Sequence, residues 1–168
     1  MIFAIDVDYR KNGAKIAGVL FEIWESEDVV EKYTLFTDHV AEYVPGHFYK
    51  RELPCIMSLL EHIPSSITCI VIDGYVHLGS KKIPGLGKHL WDEFNGAIPV
   101  IGVAKSFFKD TPKNTELQRG RSTKPLYVTV EGIDLDVAKK HIFHMKGKSR
   151  IPTLLKYVDT LCRSPGGE

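Results

Sequence analysis

Residues 67–72, Ile-Thr-Cys-Ile-Val-Ile, form a near-continuous apolar run that stops at Asp73-Gly74. A strand with one wet face alternates apolar and polar residues. A run without alternation is the pattern of a strand covered on both sides. Such a strand needs helices above and below a sheet, which restricts the chain to an α/β architecture. A carboxylate at the end of a buried strand, followed by a turn, lies where open α/β sheets place their ligands. Two other strand-like runs also end in charge: Ile2-Phe3-Ala4-Ile5 stops at Asp6, and Ile98–Ala104 stops at Lys105.

The rest of the chain is organised around these runs. Residues 2–8, 14–24 and 28–36 are rich in β-branched and aromatic residues, with the turn Lys11-Asn12-Gly13 and the polar triplet Glu25-Ser26-Glu27 between them. They predict a three-stranded antiparallel meander. Tyr43-Val44-Pro45-Gly46 leads into a helix whose buried face is Ile56, Leu59, Leu60 and Ile63. Glu52 lies one turn before Ile56, and Pro54 kinks the first turn or shortens the helix. Residues 86–95 predict a helix, 106–124 a mobile basic loop, and 126–130 a further strand. Asp134 caps a helix running to about Met145. Pro152 opens a last helix with Leu154, Leu155, Val158 and Leu161 inward and Asp159 beside that face. The predicted fold is α/β of the ribonuclease H-like kind: a mixed sheet, the meander first and β-α units after it, with helices on both faces. Residues 1–163 form one domain and residues 164–168 a frayed tail.

Composition excludes several classes. No apolar run approaches the roughly 20 residues that cross a bilayer, and the N-terminus opens into a strand-like run without a leader pattern. Cys55, Cys69 and Cys162 are odd in number and each sits among apolar residues. They read as core thiols of a protein in a reducing compartment, here the cytoplasm, and not as a disulfide frame or a zinc site. Net charge is +1, but residues 1–100 carry 9 Lys+Arg against 14 Asp+Glu and residues 101–168 carry 13 against 7. That asymmetry permits a basic surface beside an acidic pocket.

The candidates for chemistry are Asp6, Glu52, Asp73 and Asp159, each from a different element. Hard divalent cations such as Mg²⁺ take oxygen ligands of this kind, and metal-assisted phosphodiester hydrolysis needs several carboxylates at one point. Each acid alone also fits an ordinary role. Asp6-Val7-Asp8 starts a turn, Asp73-Gly74 is a common turn pair, Glu52 suits the helix dipole, and Asp159 pairs with Lys156 on a helix surface. Together they are harder to dismiss, because ionised acids near a core are costly unless paired or metal-bound. Lys105 either holds a phosphate and stabilises developing charge or extends to water from a strand end.

These segments, in order, resemble the endonuclease V family, which nicks nucleic acid near deaminated bases. The matching residues are Asp6-Val7-Asp8-Tyr9, Tyr43-Val44-Pro45-Gly46, Phe48 with Arg51-Glu52 and Pro54, Val71-Ile72-Asp73-Gly74, Gly85-Leu86 with His89-Leu90, Pro99 to Ser106, Lys124 to Val128, and Arg150-Ile151-Pro152. The resemblance implies a Mg²⁺- or Mn²⁺-dependent site with Asp6, Glu52, Asp73 and Asp159 as metal acids and Lys105 as the catalytic lysine. It implies that Tyr43, Val44, Pro45 and Gly46 form a wedge that parts strands while a nucleotide swings out. It places Gly74, Tyr75, His77, Gly85, Leu86 and His89 at a base pocket, and Arg119-Gly120-Arg121 on phosphates. The implied partner is DNA or RNA with a modified or distorted nucleotide, cut to leave a 3′-hydroxyl and a 5′-phosphate by a monomeric enzyme.

The chain departs from the family pattern in three places. The family's usual N-terminal helical stretch has no counterpart before the first strand. Glu42 stands where the wedge usually has a proline. After Asp73-Gly74 the family usually has a second glycine two residues on; this chain reads Tyr75-Val76-His77-Leu78-Gly79-Ser80-Lys81-Lys82. Two functions remain open: an inosine-directed endonuclease, or a non-catalytic or base-unspecific relative that binds branched or distorted strands.

Overall fold

The computed structural model describes residues 1–63 and 66–166. Its centre is a seven-stranded sheet in the order β3-β2-β1-β4-β7-β9-β8. The meander is present: β1 (Ile2–Arg10), β2 (Gly13–Phe21) and β3 (Glu31–Thr37) pair antiparallel. β2 ends at Phe21 and not at Trp24, because Ile23 to Ser26 close a turn, with Ser26 N–H donating to the Ile23 carbonyl. Helix α1 (Tyr49–Leu60) crosses to β4 (Cys69–Ile72), which lies parallel to β1. After the small hairpin β5 (His77–Leu78) and β6 (Ile83–Pro84), α2 (Leu86–Glu93) crosses to β7 (Val100–Ala104), parallel to β4. The buried run that opened the sequence reading is therefore a central parallel strand with parallel neighbours.

The second half bears out one expectation and corrects another. The further strand is present as β9 (Leu126–Glu131); no helix precedes it, and it returns antiparallel to β7. The segment 106–124 is not simply a loop. It holds a 3₁₀ turn at Lys113–Thr115 and the short strand β8 (Glu116–Leu117), which closes the sheet edge against β9.

Helices cover both faces. α1 and α2 pack Cys55, Ile56, Leu59, Leu86 and Leu90 against Phe3, Ile5, Ile70, Ile72 and Val100. On the other face α3 (Leu135–His144) and α4 (Thr153–Arg163) bring Ala138, Ile142, Leu154 and Val158 onto Ile2, Ala4, Val71, Ile101 and Val128. Asp134 caps α3 as its sequence predicts, its side chain accepting from the Val137 N–H at 3.1 Å. α1 runs through Pro54 with Leu53 helical. The donor Pro54 lacks would have met the Lys50 carbonyl, in an exposed first turn where water can serve instead. In α4 the buried face is Leu154, Val158, Asp159 and Cys162, so Asp159 lies on that face and not beside it.

The end of α4 is tied down. Arg10 donates to the carbonyls of Cys162 and Ser164, and Lys15, 6% exposed, donates to the carbonyl and hydroxyl of Ser164. Of the expected tail, Gly167 and Glu168 lie outside the described residues. No helix among the described residues is long and apolar enough to cross a membrane.

Candidate functional site

Strand register assembles the site. Ile5 pairs with Ile72 across parallel strands, so the next residues, Asp6 within β1 and Asp73 just past the end of β4, lie side by side. Neighbouring strands are about 4.8 Å apart, within reach of two carboxylates and one ion. The period of two then fixes the face. Asp6 follows Ile2 and Ala4, Asp73 follows Cys69 and Val71, and Lys105 follows Ile101 and Val103. All three point toward the face that α4 covers, and α4 presents Asp159 there. Glu52 arrives from the opposite side, on the first turns of α1.

The distances bear this out. Lys105 Nζ donates to Asp73 Oδ2 at 2.7 Å and stands 4.0 Å from Asp159 Oδ1. Asp159, 6% exposed, also receives Arg163 Nε at 2.8 Å and Lys156 Nζ at 3.3 Å. Burial alone would raise the Asp159 carboxyl, but Lys105, Arg163 and Lys156 outweigh it and hold the acid below the usual range. Asp6 and Glu52 behave in the opposite way. Burial, then repulsion from Asp73, lifts Asp6 to about 7; burial, then repulsion from Asp6 and Asp73, lifts Glu52 to about 7. Asp6 and Glu52 thus both feel the charge of Asp73, and Glu52 that of Asp6 as well, so both are held above the usual carboxylate range.

Cys162 was missed from sequence, where it reads as a core thiol. Its sulfur and oxygens of Asp6 and Asp159 all lie within 4.8 Å of one another. The signal available was its position, one helical turn after Asp159. Arg150 is a second omission. Its guanidinium donates to the Lys105 carbonyl and, at 3.1 Å, to that of Pro125, so it fixes the backbone from which Lys105 extends.

Beside the acids lies a cavity of ≈ 400 Å³. Its lining includes the aromatic rings of Tyr43, Phe48, Tyr49, Tyr75 and Phe108, the small residues Gly74 and Gly85, Leu86, and Glu52. Tyr43 and Phe48 pack ring to ring at 5.4 Å, yet both are about half exposed. Val44 and Pro45 are exposed, and Gly46 sits at φ +79 with open space around it. Gly102 in β7 admits the turn after Asp73: a methyl group there would collide with the Gly74 carbonyl oxygen.

Other expected pocket or phosphate residues lie elsewhere. His77 does not line the cavity; its Nε2 lies 2.6 Å from Glu131 Oε2. His89 stacks on Tyr49 at 3.7 Å. Arg119 requires a correction. It is 4% exposed and its guanidinium donates to the carbonyls of Met145, Lys146, Gly147 and Ser149. It holds the turn between α3 and α4, and its burial keeps it from a phosphate at the surface. Arg121, two residues on, is exposed.

Comparison with known proteins decides the family. The Endonuclease V family model matches residues 1–133. The chain belongs to the Endonuclease V family. It is 31% identical to Endonuclease V of Streptomyces avermitilis over 81% of this chain and 67% of that protein. A solved Endonuclease V structure from Streptomyces avermitilis is 29% identical, with TM-score 0.74, over 96% of this chain and 79% of the other. Endonuclease V of Ciona intestinalis, in complex with a 23mer DNA containing an inosine followed by a ribo-adenosine, superposes with TM-score 0.78 at 21% identity, over 96% of this chain and 83% of that one. The fold is the ribonuclease H-like fold of Endonuclease V.

Proposed function

We propose that this protein is a divalent-metal-dependent endonuclease that hydrolyses a phosphodiester beside a deaminated, inosine-like or otherwise distorted nucleotide. The observation that supports this reading is the side-by-side placing of Asp6 and Asp73 after the paired residues Ile5 and Ile72, with Lys105 on Asp73 and Glu52 in the lining of an aromatic cavity with room for a base; burial and mutual repulsion raise Asp6 and Glu52 to about 7. An all-oxygen set with uncompensated negative charge fits Mg²⁺ or Mn²⁺. Asp6, Glu52 and Asp73 would hold the ion, with Asp159 reached through Lys105 or directly. When bound, the ion supplies positive charge to the attacking and departing oxygens.

The chain's own residues do the rest. Lys105, whose carbonyl accepts from Arg150, donates to Asp73 and stands where it could stabilise charge on a phosphate oxygen. Tyr43, Val44, Pro45 and Gly46 enter the strand, where an aromatic ring and a proline replace lost base stacking. The extruded base enters the cavity between Gly74, Tyr75, Gly85 and Leu86. Arg121, and not Arg119, tracks the phosphates. Residues 1–163 act as one unit, on DNA or RNA, leaving a 3′-hydroxyl and a 5′-phosphate.

The test is cleavage of an inosine-containing single strand, in both sugar types, with Mg²⁺ or Mn²⁺. Wild type should cut beside the inosine and Asp73→Ala should not. Equal cutting by both rejects the assigned site. One observation favours a second reading. Val76 stands where the family pattern has its second glycine, and Tyr75 beside it lines the cavity, which suits a base-unspecific binder. Tight binding without turnover under either metal supports that reading instead.

A further inference from the structure

The segment that follows Lys105 carries a pair of aromatic side chains with no role in the core. Phe107 is 61% exposed and Phe108 38% exposed. They are not on a loose tip. The Tyr75 hydroxyl donates to the Ser106 carbonyl at 2.7 Å, pinning the start of the segment. Thr111 N–H donates to the Phe108 carbonyl at 3.1 Å, and Asp110 adopts φ +60 to complete a tight turn. Phe107 meets Tyr127 edge to face with centroids 5.8 Å apart, and Tyr75 lies 6.2 Å from Phe108 and 6.4 Å from Tyr127. Tyr127 is buried and supplies a fixed floor. Exposed apolar rings held in place against a rigid floor mark a surface built to be covered.

Position and charge say by what. Phe108 lines the same cavity as Tyr43, Phe48 and Tyr49. Phe107 is two residues from Lys105, whose ammonium touches Asp73. Lys109 and Lys113 are exposed along the same segment. A flat apolar surface flanked by cations, on the segment that leads out of Lys105, suits an unstacked nucleobase of a single strand.

We propose that Phe107 and Phe108, seated on Tyr75 and Tyr127, form a second stacking platform for the base next to the one that enters the cavity. The proposal rests on the nucleic-acid reading above and deepens it: the protein handles two unstacked neighbouring bases, so its preferred substrate is a strand already unpaired at that step. Tyr75 gains a role on this view: its hydroxyl anchors the segment that holds the next base.

The test is equilibrium binding to single-stranded oligonucleotides that carry one inosine and one 2-aminopurine, moved position by position, with Ca²⁺ in place of Mg²⁺. Stacking on an aromatic ring quenches 2-aminopurine. Wild type should quench it at one position adjacent to inosine. The double substitution Phe107→Ala with Phe108→Ala should abolish that quench and weaken binding about tenfold. Leucine at both positions should fail in the same way, since it restores bulk but no π face, and tryptophan at both should bind at least as well as wild type. Under Mg²⁺ the alanine variant should show KM raised by more than kcat is lowered. Quenching that survives in the alanine or leucine variant, or absent from wild type at every position, overturns the platform. The two readings fail separately. Quenching that depends on these rings without any cleavage removes the nuclease and keeps the platform, and cleavage with no ring-dependent quenching removes the platform alone.

Discussion

The Lys105 ammonium donates to Asp73 at 2.7 Å and stands 4.0 Å from Asp159, so one cation serves two of the acids gathered at the strand ends. On the proposed function a divalent ion and Lys105 would compete for the same carboxylates. Replacing Lys105 with Met is expected to leave Mn²⁺ binding unchanged or tighter, by calorimetry, while lowering cleavage about 10²–10³-fold, the usual effect of removing one donor to developing negative charge. A purely structural lysine would lose stability and metal binding together.

The pH dependence of the metal-free protein follows from Asp6 and Glu52. Both fold with carboxyls near 7, above their ordinary 3.8 and 4.5. The folded state therefore keeps protons that the unfolded chain releases. The stabilisation is complete below about pH 4 and is lost as pH rises through 7. Thermal melts should show lower stability at pH 8 than at pH 5.5. Glu52→Gln should flatten that slope and raise stability at pH 8 by about 1 kcal/mol, the shift being discounted for the acid's partial exposure. Mn²⁺ should rescue the wild type at pH 8 and not the variant.

Arg119 and Arg121 should separate cleanly. Arg119→Ala leaves buried carbonyls without donors and is expected to cost about 3 kcal/mol, with Lys a poor substitute because it cannot span the same acceptors. Arg121→Ala should leave the melting temperature unchanged and weaken nucleic-acid binding, with a smaller dependence of affinity on salt. Melting curves and binding isotherms at two salt concentrations check both.

Gly102→Ala tests the close approach that seats Asp73. The added methyl meets the Gly74 carbonyl and the Val76 N–H, which bonds Thr129 at 2.8 Å. The expected cost is about 1–3 kcal/mol, with a loss of metal affinity larger than any change in the far hairpin's protection from hydrogen exchange.

Much of this was legible before any coordinates. Unbroken apolar runs ending at Asp6, Asp73 and Lys105 state both the strand and the site, because burial on two faces and charge at the strand end are local in sequence. The helix of Ile56 and Leu59 and the Asp134 cap are local as well. What stayed hidden was non-local. Whether β9 runs with or against β7 depends on the path of the segment before it. Arg119 reads as a surface arginine until the carbonyls of the α3–α4 turn close round it. Cys162 looks like any core thiol until α4 is laid across the ends of β1 and β4. The departure at Tyr75 was visible as a departure, but its hydroxyl's bond to Ser106 was not.

The most direct test of the assembled carboxylates is the position of a bound ion. Crystals grown with Mn²⁺ and measured at its absorption edge should show an anomalous peak about 2.0–2.4 Å from oxygens of Asp6 and Asp73, with Glu52 turned toward it and Lys105 displaced from Asp73. A saturated crystal with no peak at that point, or with the ion held by other residues while Lys105 keeps its bond to Asp73, would contradict a metal-dependent site in this protein.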